Sequence, residues 1–357
     1  MGMYQIAVME GDSIGPEIVK ETVKVLQAVQ SLAGDLQLEL RWLPVGLQAY
    51  ETHGSTLPAE TLEGLRQCHA GILGPVTTHV YDTEADMVNP SGMLRKTFDL
   101  YANIRPAKSF PGVTSRYDNV DMVIVRENTE GMYADRNLFA GQGEFMPDPD
   151  TVLSLRVVTR KASERLAKVG FELAKTRQQS LAVVHKKNVL RKGCGLFYDS
   201  CLEVGKAYEE VAIRDYHVDA FALYLVQKPE AFDVVVTTNM FGDILSDQAA
   251  GLVGGLGLAP GLNLGDQFMI AQATHGSAPE IAGKNIANPV AEILSAALML
   301  EWLGIRNQDA SAERAAALIR RGVERTLQEG NKTPDIHGSL TTSEYGDALV
   351  QAIEHLQ

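Results

Sequence analysis

The sequence predicts an α/β protein with a largely parallel central sheet, on three observations. Short runs rich in β-branched residues, at 5–9, 70–73, 122–125, 181–184 and 234–237, read as strands. Between several of them, helical spacing of apolar residues appears at 17–29, 162–175 and 190–204. Strands alternating with helices indicate crossover units and therefore parallel pairing. Finally, 357 residues suffice for two lobes or for one large domain with an insertion.

The elements follow in order. The first strand runs into the turn Gly11-Asp12-Ser13-Ile14-Gly15-Pro16, with Pro16 placed where a helix tolerates it, in the first turn. No Gly-x-Gly-x-x-Gly follows that strand, so the Rossmann fingerprint is missing. Residues 139–149 are rich in Gly and Pro, and 152–159 read as a strand; together they suggest an exposed arm. No internal repeat or low-complexity tail interrupts the chain.

Composition narrows the function. Apolar residues make up 45 % and charged residues 22 %, as expected of a chain with a full core. A net charge of −13 disfavours nucleic acid and anionic lipid as partners, so any basic site has to be a local cluster. Cys68, Cys194 and Cys201 have neither disulfide nor zinc spacing and suit a reducing compartment. The N-terminus lacks a secretory pattern, and the apolar stretch 249–264 is broken by glycines and Pro260. A cytoplasmic protein is expected.

Three clusters carry candidate chemistry. In Asn239-Met240-Phe241-Gly242-Asp243-Ile244-Leu245-Ser246-Asp247, after a strand, Asp243 and Asp247 are four apart and share a helix face. Two carboxylates there suit a hard cation such as Mg²⁺ or Mn²⁺. Taken alone, such a pair is about ten times more often a solvated face. Arg95, Arg105 and Arg126 form a second group near strand ends, where guanidinium forks can clamp carboxylates. Singly, each is more often a surface salt bridge. The third group is Tyr133 and Lys186, a possible acid–base pair; alone they read as an interface tyrosine and a snorkelling lysine.

Together, these segments resemble the β-decarboxylating dehydrogenases: the isocitrate, 3-isopropylmalate, homoisocitrate and tartrate/malate enzymes. The likeness spans Glu10-Gly11-Asp12 to Asn331-Lys332-Thr333-Pro334-Asp335. It is sharpest in 126–133, 239–257 and His275-Gly276-Ser277-Ala278-Pro279-Glu280-Ile281-Ala282-Gly283, and nearest the NAD-type isocitrate enzymes. Ser13 departs from the glycine usual in the family.

The resemblance implies a two-lobed, non-Rossmann α/β fold of the isocitrate/isopropylmalate dehydrogenase type. Residues 1–100 and 255–357 would form a large, cofactor-binding lobe. Residues 101–254 would form a smaller lobe for dimerisation and catalysis, with an intersubunit arm at about 139–159. It further implies that Arg95, Arg105 and Arg126 bind substrate carboxylates. Asp243 and Asp247 would hold Mg²⁺ or Mn²⁺, joined by Asp219 of a second copy. Lys186, also from the second copy, would act with Tyr133. His275, Gly276, Ser277, Ala278, Glu280 and Asn288 would hold the dinucleotide.

The implied reaction oxidises a hydroxy acid and then decarboxylates it. Lys186 would take the 2-hydroxyl proton, acidified by the metal, as hydride leaves C2. After CO₂ loss, Tyr133 would protonate the enolate carbon. Glu280 stands where NAD-specific members are acidic; a carboxylate there accepts from the ribose diol and repels a 2′-phosphate. NAD is expected.

Substrate choice rests on the segment before Arg95. Isopropylmalate enzymes place leucines where this chain has Ser91 and Gly92, while Asn89 and Ser91 offer hydrogen bonds to a polar γ-substituent. An isocitrate-like substrate is favoured, with 3-isopropylmalate, homoisocitrate and tartrate as alternatives. A non-catalytic regulatory subunit is a lesser alternative, since all the catalytic residue types are present. A Mg²⁺-dependent phosphotransferase would need a phosphate loop, and 254–261 lacks its Lys-Ser/Thr.

Overall fold

The computed structural model describes residues 3–81, 87–133, 137–139, 141 and 143–356. The first half runs β1 (Met3–Met9), α1 (Gly15–Leu32), β2 (Gln37–Trp42), α2 (Gly46–His53), α3 (Ala59–Arg66), β3 (Ala70–Leu73), α4 (Thr78–Tyr81) and α5 (Pro90–Thr97). Next come β4 (Ala102–Lys108), β5 (Asp121–Glu127), β6 (Glu144–Asp148), β7 (Thr151–Ser154), α6 (Arg160–Lys175), β8 (Ser180–His185) and α7 (Gly193–Gly205). The chain continues through β9 (Ala212–His217), α8 (Val218–Gln227), β10 (Val234–Thr237), α9 (Asn239–Leu252), β11 (Leu262–Leu264) and β12 (Met269–Ala271). It closes with α10 (Val290–Asn307), α11 (Ala310–Gln328) and α12 (Thr342–Glu354).

Ten strands form one sheet in the order β2-β1-β3-β12-β11-β4-β5-β10-β8-β9. The flanks are parallel, as expected from the alternation of strands and helices. The centre is antiparallel, between β12 and β11, β11 and β4, and β4 and β5. The connections explain this. β4 and β5 are joined by 109–120 with no helix to carry a crossover, and β11 and β12 by 265–268, a hairpin-length loop.

β3 and β10 are buried at every position because helices cover both faces, so their sequences are unbroken apolar runs rather than alternations. The sheet edges, β2 and β9, carry charged and exposed side chains, which discourage further strand pairing. At the first turn, Ser13 has φ +54, in the left-handed region that glycine occupies without strain. Asp12 fixes this turn, accepting from Leu47 N (2.8 Å), Thr77 N (2.7 Å) and the Tyr81 hydroxyl.

The expected strand at 152–159 is shorter. β7 ends at Ser154, Val157 makes an isolated bridge with Gly131, and the Thr159 side chain caps α6 by accepting from Ala162 N. The chain leaves the ribbon there because Thr159 satisfies a helix N–H that no strand neighbour would. The β6–β7 ribbon is exposed at every position; residues 140 and 142 of the expected arm lie outside the described residues. The three cysteines are free and buried. Among the described residues, no helix is long and apolar enough to cross a membrane.

Candidate active site

Strand adjacency assembles the charged cluster. In the sheet register, Arg126 of β5 stands beside Asn103 of β4 on one side and Thr237 of β10 on the other. Arg105 lies two residues past Asn103, on the same strand face. The chain leaves β10 and enters α9, whose face at 239, 243, 246 and 247 meets these side chains. Asn239 Oδ1 accepts from Arg126 Nε (3.0 Å) and Nη2 (2.7 Å), and Asn239 Nδ2 donates to Glu130 O (3.0 Å). Asp243 Oδ1 accepts from Nη1 of both Arg126 and Arg105, the latter at 3.1 Å. Arg105 Nη1 also donates to Ser246 Oγ (2.7 Å) and lies 3.5 Å from Asp247 Oδ1.

Two buried guanidiniums thus converge on one carboxylate, with a second carboxylate behind it. Only 6 % of Arg105 and 3 % of Arg126 is exposed, whereas the Asp243 and Asp247 side chains are 39 % and 51 % exposed. Burial, followed by the nearby Arg126 charge, pushes the Arg105 pKa down to about 10, so it stays protonated at neutral pH. Burial raises the Asp247 pKa and Asp243 adds to this, while Arg105 opposes it. The result is a cradle for anions that opens onto carboxylates able to take a hard cation.

Gly242 permits this approach. A Cβ there would lie 2.7 Å from both Cβ and Cγ of Arg126, so α9 and β5 could not keep their spacing. Gly242→Ala is expected to lower unfolding free energy by about 1–3 kcal/mol, the usual range for overpacking. A denaturant midpoint equal to the wild type's would show that the helix can move away without cost.

Sequence reasoning missed a set of buried amides behind the arginines. Asn103 receives Arg105 Nε on its Oδ1 and donates to Asn263 Oδ1 at 2.7 Å. Asn128 Nδ2 also donates to Asn263 Oδ1, at 2.9 Å. Asn263 Nδ2 reaches Gln272 Oε1 (3.4 Å), which accepts from Ser91 Oγ (3.1 Å). Signals existed: Asn103 precedes Arg105 by two on a strand, and Asn239 precedes Asp243 by four on a helix. Asn89 Oδ1 caps α5 by accepting from Gly92 N (3.1 Å), which leaves its Nδ2 as a donor. Arg95 is half-buried in the last turn of α5.

Lys186 and Asp219 stand together elsewhere. Lys186 Nζ donates to Asp219, and this bond holds the Asp219 carboxyl below its usual pKa. Among the described residues, no three His, Cys, Asp or Glu side chains of one chain group as a metal site, so Asp219 does not join Asp243 and Asp247 within a chain. Tyr133 does sit at the cluster: the Arg126 guanidinium lies 6.0 Å from its ring centroid.

The segment after β12 borders a cavity of about 360 Å³ lined by residues including Ile14, Gly257, His275, Gly276, Asn288 and Asp335. Burial lowers the His275 pKa. Its Nδ1 lies 2.9 Å from Gly276 O, which can only accept, so Nδ1 carries the proton. The buried Nε2, which has no partner, is left as an acceptor. Ser277 Oγ meets Thr77 Oγ1 (2.8 Å), Asn288 Nδ2 donates to Asp335 Oδ2 (3.0 Å), and Ala278 turns the chain at φ +42. Glu280 is exposed, in the short stretch between Ala278 and Ile281, which line this cavity.

A family model described as Isocitrate/isopropylmalate dehydrogenase matches residues 5–349. A 3-isopropylmalate dehydrogenase of Archaeoglobus fulgidus is 42 % identical over 353 residues, covering 99 % of this chain and 100 % of the relative. An isocitrate/homoisocitrate dehydrogenase of Thermus thermophilus is also 42 % identical, over 354 residues and 99 % of each chain. The crystal structure of isocitrate dehydrogenase from Methylococcus capsulatus superposes with TM-score 0.87 at 38 % identity, covering 98 % of this chain and 99 % of that one.

Proposed function

Because this chain belongs to the isocitrate/isopropylmalate dehydrogenase family, we propose that it carries out the family's oxidative decarboxylation on an isocitrate-like 3-substituted malate, using NAD and Mg²⁺ or Mn²⁺. The observation that supports this best is the convergence of buried Arg105 and Arg126 on Asp243, with Asp247 beside it. Equal identity to isopropylmalate and isocitrate/homoisocitrate enzymes leaves substrate choice to local chemistry. Asn89 supports a polar γ-substituent, because its Oδ1 is engaged as a helix cap and an alkyl group would strand the remaining Nδ2 donor, while Ser91 Oγ, bonded to Gln272, adds a polar wall. The test is NADH formation with Mg²⁺ and isocitrate, homoisocitrate or 3-isopropylmalate supplied separately. Highest kcat/KM with a carboxylate-bearing γ-group supports the reading; a preference for isopropylmalate overturns the substrate choice. Inactivity with all three would favour a regulatory subunit.

The residues present fit both groups. Asp243 and Asp247 supply hard oxygen donors, and their side chains remain 39 % and 51 % exposed beside the arginines, so a cation can reach them. A divalent ion would supply Lewis acidity toward the substrate's 2-oxygen. NAD would accept the hydride, its adenosine end placed in the His275 cavity, where an unpartnered buried Nε2 offers an acceptor. Arg105 and Arg126, with Arg95 from α5, bind and orient the carboxylates. Lys186 takes the hydroxyl proton, and Tyr133 protonates the carbon that has lost CO₂.

Two halves of the chain divide the work: 1–100 with 255–357 for cofactor, and 101–254 for pairing and catalysis. A second copy covers the apolar face of α8 and α9, where Leu223 is 54 % and Ile244 60 % exposed, together with the β6–β7 ribbon and Val189. That copy brings Lys186 and Asp219 to the site. Three buried thiols suit the cytoplasm. Glu280→Lys is expected to shift the NAD-over-NADP preference toward NADP by about tenfold or more, measured as the ratio of the two kcat/KM values. An unchanged ratio removes Glu280 from cofactor selection.

A further inference from the structure

The segment carrying His275 is held from beneath by a carboxyl that the proposed chemistry leaves unused. Past β12, the N–H groups of Gln272 and Thr274 donate to Gly261 O (3.0 Å) and Ala259 O (3.2 Å) on one side. Alternation in extended chain turns the Ala273 N–H to the other side, where the neighbouring strand β3 has already ended at Leu73. The acceptor there is Glu292 Oε2 at 2.8 Å, from the first turn of α10. Glu292 is completely buried, and its Oε1 is buried without a partner.

One N–H and the field at the start of α10 favour the carboxylate. Full burial favours the acid and prevails, raising the pKa to about 8. Among the described residues no charged side chain enters that balance. His275, two residues past Ala273, takes its own charge state from burial, Gly276 O and Asp335.

We propose that Glu292 is a positioning residue for dinucleotide binding: its buried acid form ties Ala273 to α10 and fixes the 275–283 segment. Loss of the proton, although it strengthens the single N–H bond, leaves an unpaired charge in a completely buried position that is relieved only by opening the segment over it to water. The inference rests on the proposed use of this segment for NAD. Because the folded protein holds this proton more tightly than the unfolded chain, the Glu292 contribution to stability is complete below the usual carboxylate range. It is lost as pH rises through about 8.

The experiment compares wild type, Glu292→Gln and Glu292→Ala across pH 6.5 to 9.5, by NAD dissociation constant and by hydrogen exchange of 272–283 without ligand. Wild-type NAD binding is expected to weaken above about pH 8 by up to about tenfold per pH unit. Glu292→Gln, which keeps an acceptor for Ala273 N–H without a titrating proton, should show a flat profile. Glu292→Ala should bind about tenfold more weakly than wild type at pH 6.5 and show no fall of its own above pH 8, with substrate KM within about twofold, because it orphans a buried N–H and removes the titrating group. At pH 9 the segment should exchange faster in wild type than in Glu292→Gln, and at pH 6.5 equally. The same pH dependence in Glu292→Gln, or matching exchange at both pH values, overturns the proposal. If wild type binds no NAD at any pH, the cofactor role fails, and the exchange comparison alone decides whether Glu292 ties the segment.

Discussion

Asp243→Asn is expected to lower kcat/KM by about three orders of magnitude, the scale on which removal of a group that stabilises developing charge is felt. It should also abolish the activity's response to Mg²⁺ in the millimolar range. Asp243 has two tasks in the geometry. In the chain without ligands its Oδ1 neutralises both buried guanidiniums, and it is half open to solvent on the side where a cation would approach. The amide remains an acceptor for the arginines but is a poor cation ligand. The variant should therefore be less stable, because two buried cations lose their counter-charge, a loss that reaches about 3–5 kcal/mol where nothing replaces it. Added tricarboxylate without metal should raise its melting temperature more than the wild type's, since substrate carboxylates can replace the missing charge. Asp247→Asn should show a weaker version of the metal defect with little loss of stability, because Asp247 is half-exposed and 3.5 Å from Arg105. A Mg²⁺ titration of Asp243→Asn that overlays the wild type's would remove Asp243 from the ligand set.

What the sequence disclosed depended on whether one segment sufficed to determine the feature. Strands 70–73 and 234–237 were legible to the residue because burial on both faces leaves an uninterrupted apolar run. The antiparallel centre was not legible. Direction there is set by what connects the strands, and β11 and β12, three residues each, are too short to display a period. Each charged residue of the site could be proposed from its type and motif. Their meeting on a single carboxylate oxygen follows from β5 lying between β4 and β10, a tertiary fact. Asn89 was read for its polarity alone, although Asn followed by Pro is a helix-start signal and its Oδ1 is engaged as a cap. Glu292 was invisible because a single Glu within an apolar helix pattern looks like an exposed position. Burial is decided by the 272–274 segment packing over it.

An isolated heterodimer of Lys186→Gln and Asp243→Asn chains is expected to recover about half the wild-type activity per dimer, although each homodimer is nearly inactive. The figure follows from two-fold symmetry with shared sites: one composite site receives both lesions and the other receives neither. The structure motivates the design. Lys186 and Asp219 bond to one another, the Asp219 side chain is 67 % exposed, and Asp219 does not complete an acidic triad with Asp243 and Asp247 in one chain. Each chain therefore carries an anion cradle and a lysine–aspartate pair that, among the described residues, completes no acidic triad with it. The apolar faces of α8 and α9 and the exposed ribbon supply a surface through which a second copy could bring the two parts together. If Lys186 instead served the site of its own chain, both sites of the heterodimer would each keep one lesion, and its activity would stay at the level of the homodimeric variants. That outcome would exclude the shared site while leaving the arginine–aspartate cluster intact as the place where substrate binds.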